Sequence, residues 1–237
     1  MIENKSTQVL NDNCRSSGIS SGWLALIIAI LIIIADQALK IWVKTSFYMG
    51  EDLEITKWFH LKFIENNGMA FGLELWNKLI LTFGRIIAVG LFIWFIVKVK
   101  NVEGVRRGFI VCMALITAGA AGNIFDCVFY GKIFSNPWPP QIATMFPADG
   151  GYAGWFEGRV VDMLYFPFFD FYWPDWIPGI GGSYYEFFAY IFNLADSAIC
   201  VGVAVLLIFY SKDAGIAFKS IGFDKSSDKS SGKNRLK

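Results

Sequence analysis

The chain has 237 residues, 55% of them hydrophobic and 17% aromatic, with a formal net charge of +1. This excludes an ordinary soluble domain, fits a polytopic membrane protein, and offers no case for nucleic-acid binding. Four cysteines (Cys14, Cys112, Cys127, Cys200) without C-x-x-C spacing and a lone histidine, His60, argue against a disulfide framework or a metal site. Cys112 and Cys200 lie in apolar runs and read as packing residues. His60 reads as a surface or loop residue.

Residues 1–22 are a polar leader. The run from Trp23 to Val43 is long enough to cross a hydrocarbon core, which takes about 20 helical residues. It is too long for a cleavable signal peptide and lacks a small-residue cleavage site. In residues 44–78, the alternations Leu53-Glu54-Ile55-Thr56 and Trp58-Phe59-His60-Leu61-Lys62-Phe63 predict strands. The turn-rich Asn66-Asn67-Gly68-Met69-Ala70-Phe71 follows.

Residues 79–97 form a second apolar span interrupted by Arg85. Residues 98–107 are a basic connector. Residues 108–129 are a third span whose small residues (Ala114, Ala118, Gly119, Gly122) suit close helix approach. Residues 130–188 are a long Pro-, Gly- and aromatic-rich segment, 189–210 a fourth span, and 211–237 a Ser- and Lys-rich tail that reads as disordered. With no repeat in view, residues 23–210 form one membrane domain of four transmembrane helices.

Charge orients this layout. The connector carries Lys98, Lys100, Arg106 and Arg107 against Glu103, and the tail is also basic, whereas segments 44–78 and 130–188 are acidic on balance. The positive-inside rule puts both termini and the connector in the cytoplasm and the two acidic segments outside. Asp36, Lys40, Asn123, Asp126, Asp162 and Asp196 then gather at one membrane face, although they are far apart in sequence.

An ionisable group near lipid is costly and marks a functional site by default. Asp162 and Asp196 stand out. Two carboxylates held close resist ionising together, so one keeps a proton while the other serves as base to a water. The alternative is that Asp196 anchors a helix end and Asp162 is a solvated loop acid. Asn193, three residues before Asp196, would share its helix face, and Asn123 and Asp126 repeat that spacing. Asp126 suits a supporting role between helices; Asn123 could orient a carboxylate or a substrate amide. Asp36 and Lys40, at i,i+4, suit an ion pair. Arg85 either snorkels or faces the bundle. The rings from Phe166 to Trp176 suit an interfacial belt or a lid over substrate.

Taken in order, Asp36-Gln37-Ala38-Leu39-Lys40, Asn66-Asn67-Gly68-Met69-Ala70-Phe71, Gly122-Asn123-Ile124-Phe125-Asp126, Val160-Val161-Asp162 and Phe192-Asn193-Leu194-Ala195-Asp196-Ser197 resemble lipoprotein signal peptidase (signal peptidase II) over residues 23–210. The resemblance implies an α-helical polytopic membrane protein with four transmembrane helices and a small outer-face β-cradle. It implies an intramembrane aspartic peptidase of the bacterial inner membrane, with its site near the outer face. Such an enzyme cuts prolipoproteins before a diacylglyceryl-modified cysteine. It needs no cofactor, works among membrane lipids and is blocked by globomycin-type inhibitors. The catalytic pair would be Asp162 and Asp196, with Asn66, Asn123, Asn193, Asp36, Lys40 and Asp126 in support. Two departures stand out. The family pattern G-N-x-x-D-R has Cys127 here in place of arginine, and insertions 133–157 and 167–186 flank Asp162. The competing functional class is a proton-coupled transporter or channel subunit using the same carboxylates. A third is a scaffold whose polar groups only tie helices together.

Overall fold

The structure is a computed structural model describing residues 19–67 and 78–222. Residues 68–71 of the turn motif, Cys14 and the tail beyond 222 lie outside the described residues.

Helix α1 (Ser21–Ser46) opens with Ser20 as its N-cap, the hydroxyl accepting from Trp23 N. Strands β1 (Asp52–Thr56) and β2 (Phe59–Asn66) follow, then α2 (Lys78–Val99) and α3 (Arg107–Phe125). A π-helical turn (Asp126–Tyr130) and a last α-helical turn (Gly131–Ile133) carry α3 on to Ile133. Then come β3 (Val160–Tyr165), β4 (Phe169–Tyr172), β5 (Tyr184–Phe187), β6 (Ile191–Phe192), α4 (Leu194–Phe209) and α5 (Ser211–Ser220).

Three helical stretches, Ser21–Ser46, Lys78–Val99 and Arg107–Ile133, are long and apolar enough to cross a membrane alone. The first two present Ile30, Leu31, Ile87 and Leu91 outward, an exposed apolar surface of the kind that faces lipid. The fourth span is shorter than the apolar run 189–210 suggested. Helix α4 has 16 residues, about 24 Å at 1.5 Å per residue. It continues into α5 only across an 89° bend. Residues 191–192 are drawn into a strand instead, and Asn193 is the cap. The beginning of the tail, expected to be disordered, is helix α5. Asp213 fastens it to the start of α3 by accepting from Arg106 N and the Arg106 guanidinium, each at 2.7 Å at closest.

Two apolar cores occupy the two ends of the bundle. One joins Ala25 of α1, Phe95 and Val99 of α2, Phe109 and Met113 of α3, and Ala217 of α5. The other joins Val43 and Phe47 at the far end of α1 to Tyr130, Phe134, Phe63, Val161 and Met163. Consecutive spans therefore alternate in direction, and the sheet packs at the second end.

That sheet is antiparallel in the order β1-β2-β3-β6. Its strand β3 corrects the reading of 130–188 as loop. Val160 to Met163 are all buried, so the strand lacks the polar–apolar alternation that marks a half-exposed one. His60 sits on β2, in the alternating run that predicts a strand, and at the surface, with Nδ1 2.7 Å from Asp52 Oδ1. Strands β4 and β5 form a separate hairpin. Phe169, Phe171, Tyr185 and Phe187 line one of its faces; Asp170, Tyr172, Tyr184 and Glu186 line the other.

Small residues set how closely the helices meet. A Cβ on Gly119 would fall 2.3 Å from Ala195 O and 2.7 Å from Ile199 Cγ1, both on α4. One on Gly158 would fall 2.0 Å from Asp126 O, so only glycine lets the chain leading into β3 lie against the π-helical turn. Gly119→Val should therefore separate α3 from α4 and cost about 1–3 kcal/mol, the usual cost of overpacking. Gly84→Ala, whose Cβ would meet nothing within 4 Å, should leave the melting temperature in detergent unchanged or slightly higher.

Candidate functional site

The site begins with Asp36 and Lys40 on one face of α1. Both are buried, and their side chains are 2.8 Å apart, the i,i+4 ion pair expected. Lys40 Nζ is also 2.8 Å from Asp126 Oδ2 and donates at 2.8 Å to Asn123 Oδ1. An ammonium with no water around it needs such a cage of acceptors, since an isolated buried charge is prohibitive.

Each member of the cage makes a further hydrogen bond, two of them to α4 and one to β3. Asp36 Oδ1 accepts from Ala195 N at 2.9 Å, satisfying a free N–H in the first turn of α4. Asp126 Oδ2 accepts from Val161 N at 3.3 Å on β3. Asn123 Nδ2 donates to Asp196 Oδ1 at 2.7 Å. Gln37 and Tyr130 complete the network: Gln37 Nε2 donates to Asp126 Oδ1 at 2.8 Å, and Tyr130 Oη donates to Gln37 Oε1 at 2.9 Å.

Asn193 corrects an expectation. It does not share a helix face with Asp196 but caps the helix. Its Oδ1 accepts from Asp196 N at 2.8 Å, and Asp196 Oδ2 accepts from Asn193 N at 3.4 Å, a reciprocal capping box. Asp196 therefore sits in the first turn of α4. Capping frees Asn193 Nδ2 to donate to Asp162 Oδ1 at 2.7 Å, with Asn123 Oδ1 at 3.1 Å beyond it.

Asp162 is on strand β3, not in a solvated loop, and is 2% exposed. The side chain of Asn66, at the end of β2, also hydrogen-bonds to it. All eight residues singled out from the sequence meet in this one cluster. Gln37 and Tyr130 are additions. Gln37 was legible as a polar residue inside an apolar span, whereas Tyr130 carried no local signal.

Burial first, and then the charge of Asp196, push the Asp162 carboxyl up to about 7; hydrogen bonds from Asn193 and Asn66 and the charge of Lys40 only partly offset this. One carboxylate is thus poised to hold a proton beside a second, half-buried one. At the neighbouring position, Arg85 of α2 donates to Cys127 Sγ at 3.6 Å, so Arg85 faces the bundle and brings a guanidinium to Cys127.

Apolar spanning helices, a small sheet at one end and ionisable groups buried between them define a polytopic membrane protein built around an intramembrane polar site. The family model for signal peptidase (SPase) II matches residues 28–212, and the chain belongs to that family. It is 42% identical over 200 residues to the lipoprotein signal peptidase of Porphyromonas gingivalis, covering 84% of this chain and 88% of that one. It is 38% identical over 192 residues to that of Amoebophilus asiaticus, covering 78% and 77%. Two solved bacterial membrane enzymes share the fold. One has a TM-score of 0.54 at 22% identity, covering 81% of this chain and 89% of the other; the second has 0.52 at 24% identity, covering 78% and 90%. Nothing supports a transporter: Asp36, Asp126, Asp162 and Asp196 form one cluster rather than a path across the bundle.

The Asp162 shift has a signed consequence. An aspartate has a pKa of about 3.9 when unfolded. Its upward displacement on folding adds stability that is fully present below that value and is lost as pH rises through about 7. The melting temperature in detergent should therefore fall between about pH 4 and pH 7, and Asp162→Asn should flatten the fall. An equal slope in the variant would contradict this account.

Proposed function

We propose that Asp162 and Asp196 are the catalytic pair of this protein, an aspartic endopeptidase of the signal peptidase II family that removes signal peptides from prolipoproteins. The observation that carries the reading is the relay of two asparagines, in which Asn193 holds Asp162 while Asn123 holds Asp196. In this mechanism Asp196, ionised, takes a proton from a water whose oxygen attacks the scissile carbonyl. Asp162, protonated, gives its proton to the carbonyl oxygen. The tetrahedral diol then collapses as Asp196 passes its acquired proton to the leaving amine and the diol returns one to Asp162, restoring both groups. Asn66, Asn123, Asn193, Asp36, Lys40 and Asp126 fix the two carboxylates and do not react.

The protein is a membrane protein. In our reading it resides in the bacterial inner membrane, with the site near the periplasmic face and both termini in the cytoplasm. The basic α2–α3 connection, at the bundle end opposite the sheet, supports that orientation. The substrate is a prolipoprotein cut before a diacylglyceryl-modified cysteine, reached from among membrane lipids, and a globomycin-type cyclic peptide would occupy the same site. Arg85 supplies the guanidinium that the family pattern carries at position 127.

Asp162→Asn and Asp196→Asn should each lower cleavage of a diacylglyceryl prolipoprotein by roughly 10²–10⁴-fold, the contribution of positioned acid–base groups. Normal maturation in both variants would sink the assignment. Wild-type kcat/KM should decline as pH rises through about 7, where Asp162 gives up its proton. Arg85→Met should weaken cleavage, and Cys127→Arg added to it should restore a good part of the loss. Arg85→Met with wild-type kinetics would remove Arg85 from the site.

A further inference from the structure

One turn beyond Lys40 on α1 lies a second fully buried lysine, Lys44. Its ammonium is paired with Glu65, whose side chain is also fully buried. It is boxed by the rings of Phe63, Phe134 and Tyr152, with centroids 5.8, 5.2 and 5.1 Å away. The other oxygen of Glu65 accepts from Arg159 Nη1 at 2.8 Å. Arg159 also donates to Asn136 Oδ1 at 3.1 Å, lies 4.8 Å over the Tyr152 ring, and gives its backbone N–H to Tyr152 Oη at 2.7 Å. One carboxylate on β2 is thus shared between a cation on α1 and a cation just ahead of β3.

The mechanism above uses none of these groups, and stability alone is a poor reason for them. Removing the Lys44 and Glu65 charges from water entirely, and the 26%-exposed Arg159 in part, is expensive, and apolar replacement of buried ion pairs is often neutral or stabilising. Their place in the sheet offers a better reason. Glu65 pairs across from Val161, Ile64 from Asp162 and Asn66 from Val160. The β2–β3 pairing is irregular between Leu61 and Ile64, immediately ahead of these positions. A ladder interrupted there does not enforce its own register, and a one-residue slip would turn Asp162 to the opposite face. Lys44 fixes Glu65 against the same face of α1 that carries Lys40, and Arg159 fixes the start of β3 against Glu65.

We propose that Lys44, Glu65 and Arg159 are positioning residues that lock the register of β3 against β2 and so set where Asp162 stands relative to Asp196. The proposal rests on Asp162 and Asp196 being the catalytic pair. It predicts that the triad governs turnover rather than substrate affinity.

The test is the full-length triple variant Lys44→Met/Glu65→Leu/Arg159→Met, purified in detergent and assayed on a diacylglyceryl prolipoprotein. Its melting temperature should equal or exceed that of the wild type. Its kcat should fall about ten- to a hundredfold, as a small misplacement of a reacting group does. KM should stay within about twofold, and the decline of activity with pH should be displaced, because the spacing of the two carboxylates changes. A folded triple variant with wild-type kcat and pH profile overturns the proposal, as does a loss confined to KM. Should the triple variant fail to fold, Arg159→Lys puts the same question, since it keeps the charge and gives up the forked donor. A severalfold loss of kcat with a displaced pH profile supports the proposal; unchanged values overturn it. Asp162→Asn run alongside separates the two readings. If it still cleaves, the catalytic pair is wrong; if it is inactive while the folded triple variant is normal, only the positioning role fails.

Discussion

The polar interior hangs on one requirement: the ammonium of Lys40, sealed from water, must be surrounded by acceptors. Asp36, Asp126 and Asn123 satisfy it at 2.8 Å each. Each of those groups makes a further hydrogen bond, Asp36 and Asn123 to α4 and Asp126 to β3. Asp36 ties down the first turn of α4, Asp126 holds the backbone of β3, and Asn123 grips Asp196. A single buried cation thereby fixes two helices and a strand relative to α1. Removing it would leave two carboxylates buried without a counter-charge, which in other proteins costs about 3–5 kcal/mol.

Lys44 extends the same logic one turn further along α1. The first lysine organises the helical half of the cluster and the second organises the sheet half. Asp196 belongs to the former through Asn123, and Asp162 to the latter through its strand. Asn193 joins the halves because capping α4 uses only its carbonyl oxygen and leaves its amide nitrogen for Asp162.

What the sequence made legible follows from range of interaction. The Asp36–Lys40 pair is local, and its i,i+4 spacing is enough to read it. Most of the site residues are conspicuous as polar groups in or beside apolar runs, whereas Asn66, in a turn-rich stretch, enters only through the resemblance to signal peptidase II. The i,i+3 spacing of Asn193 and Asp196 fits a shared helix face and a capping box equally, and Asn-x-x-Asp ahead of an apolar run carries the form of the second. Strand β3 was hidden because both its faces are buried, and that erases the period-two alternation. Tyr130 and Gln37 meet across 93 residues, as do Glu65 and Arg159 across 94. No local pattern encodes such pairs; they exist only once the bundle has closed.

The pairing of β3 with β6 bears on how this chain can vary. Leu164 faces Phe192 and Tyr165 faces Ile191, so the excursion from 166 to 190 leaves and re-enters the sheet at neighbouring strands, about 4.8 Å apart. Asp162 and Asp196 stand outside that closed loop, one on each flank. Loop-closure entropy grows only logarithmically, by about 0.6 kcal/mol per doubling of length. Lineages can therefore lengthen, shorten or redecorate the aromatic hairpin with small thermodynamic penalty and without moving either carboxylate.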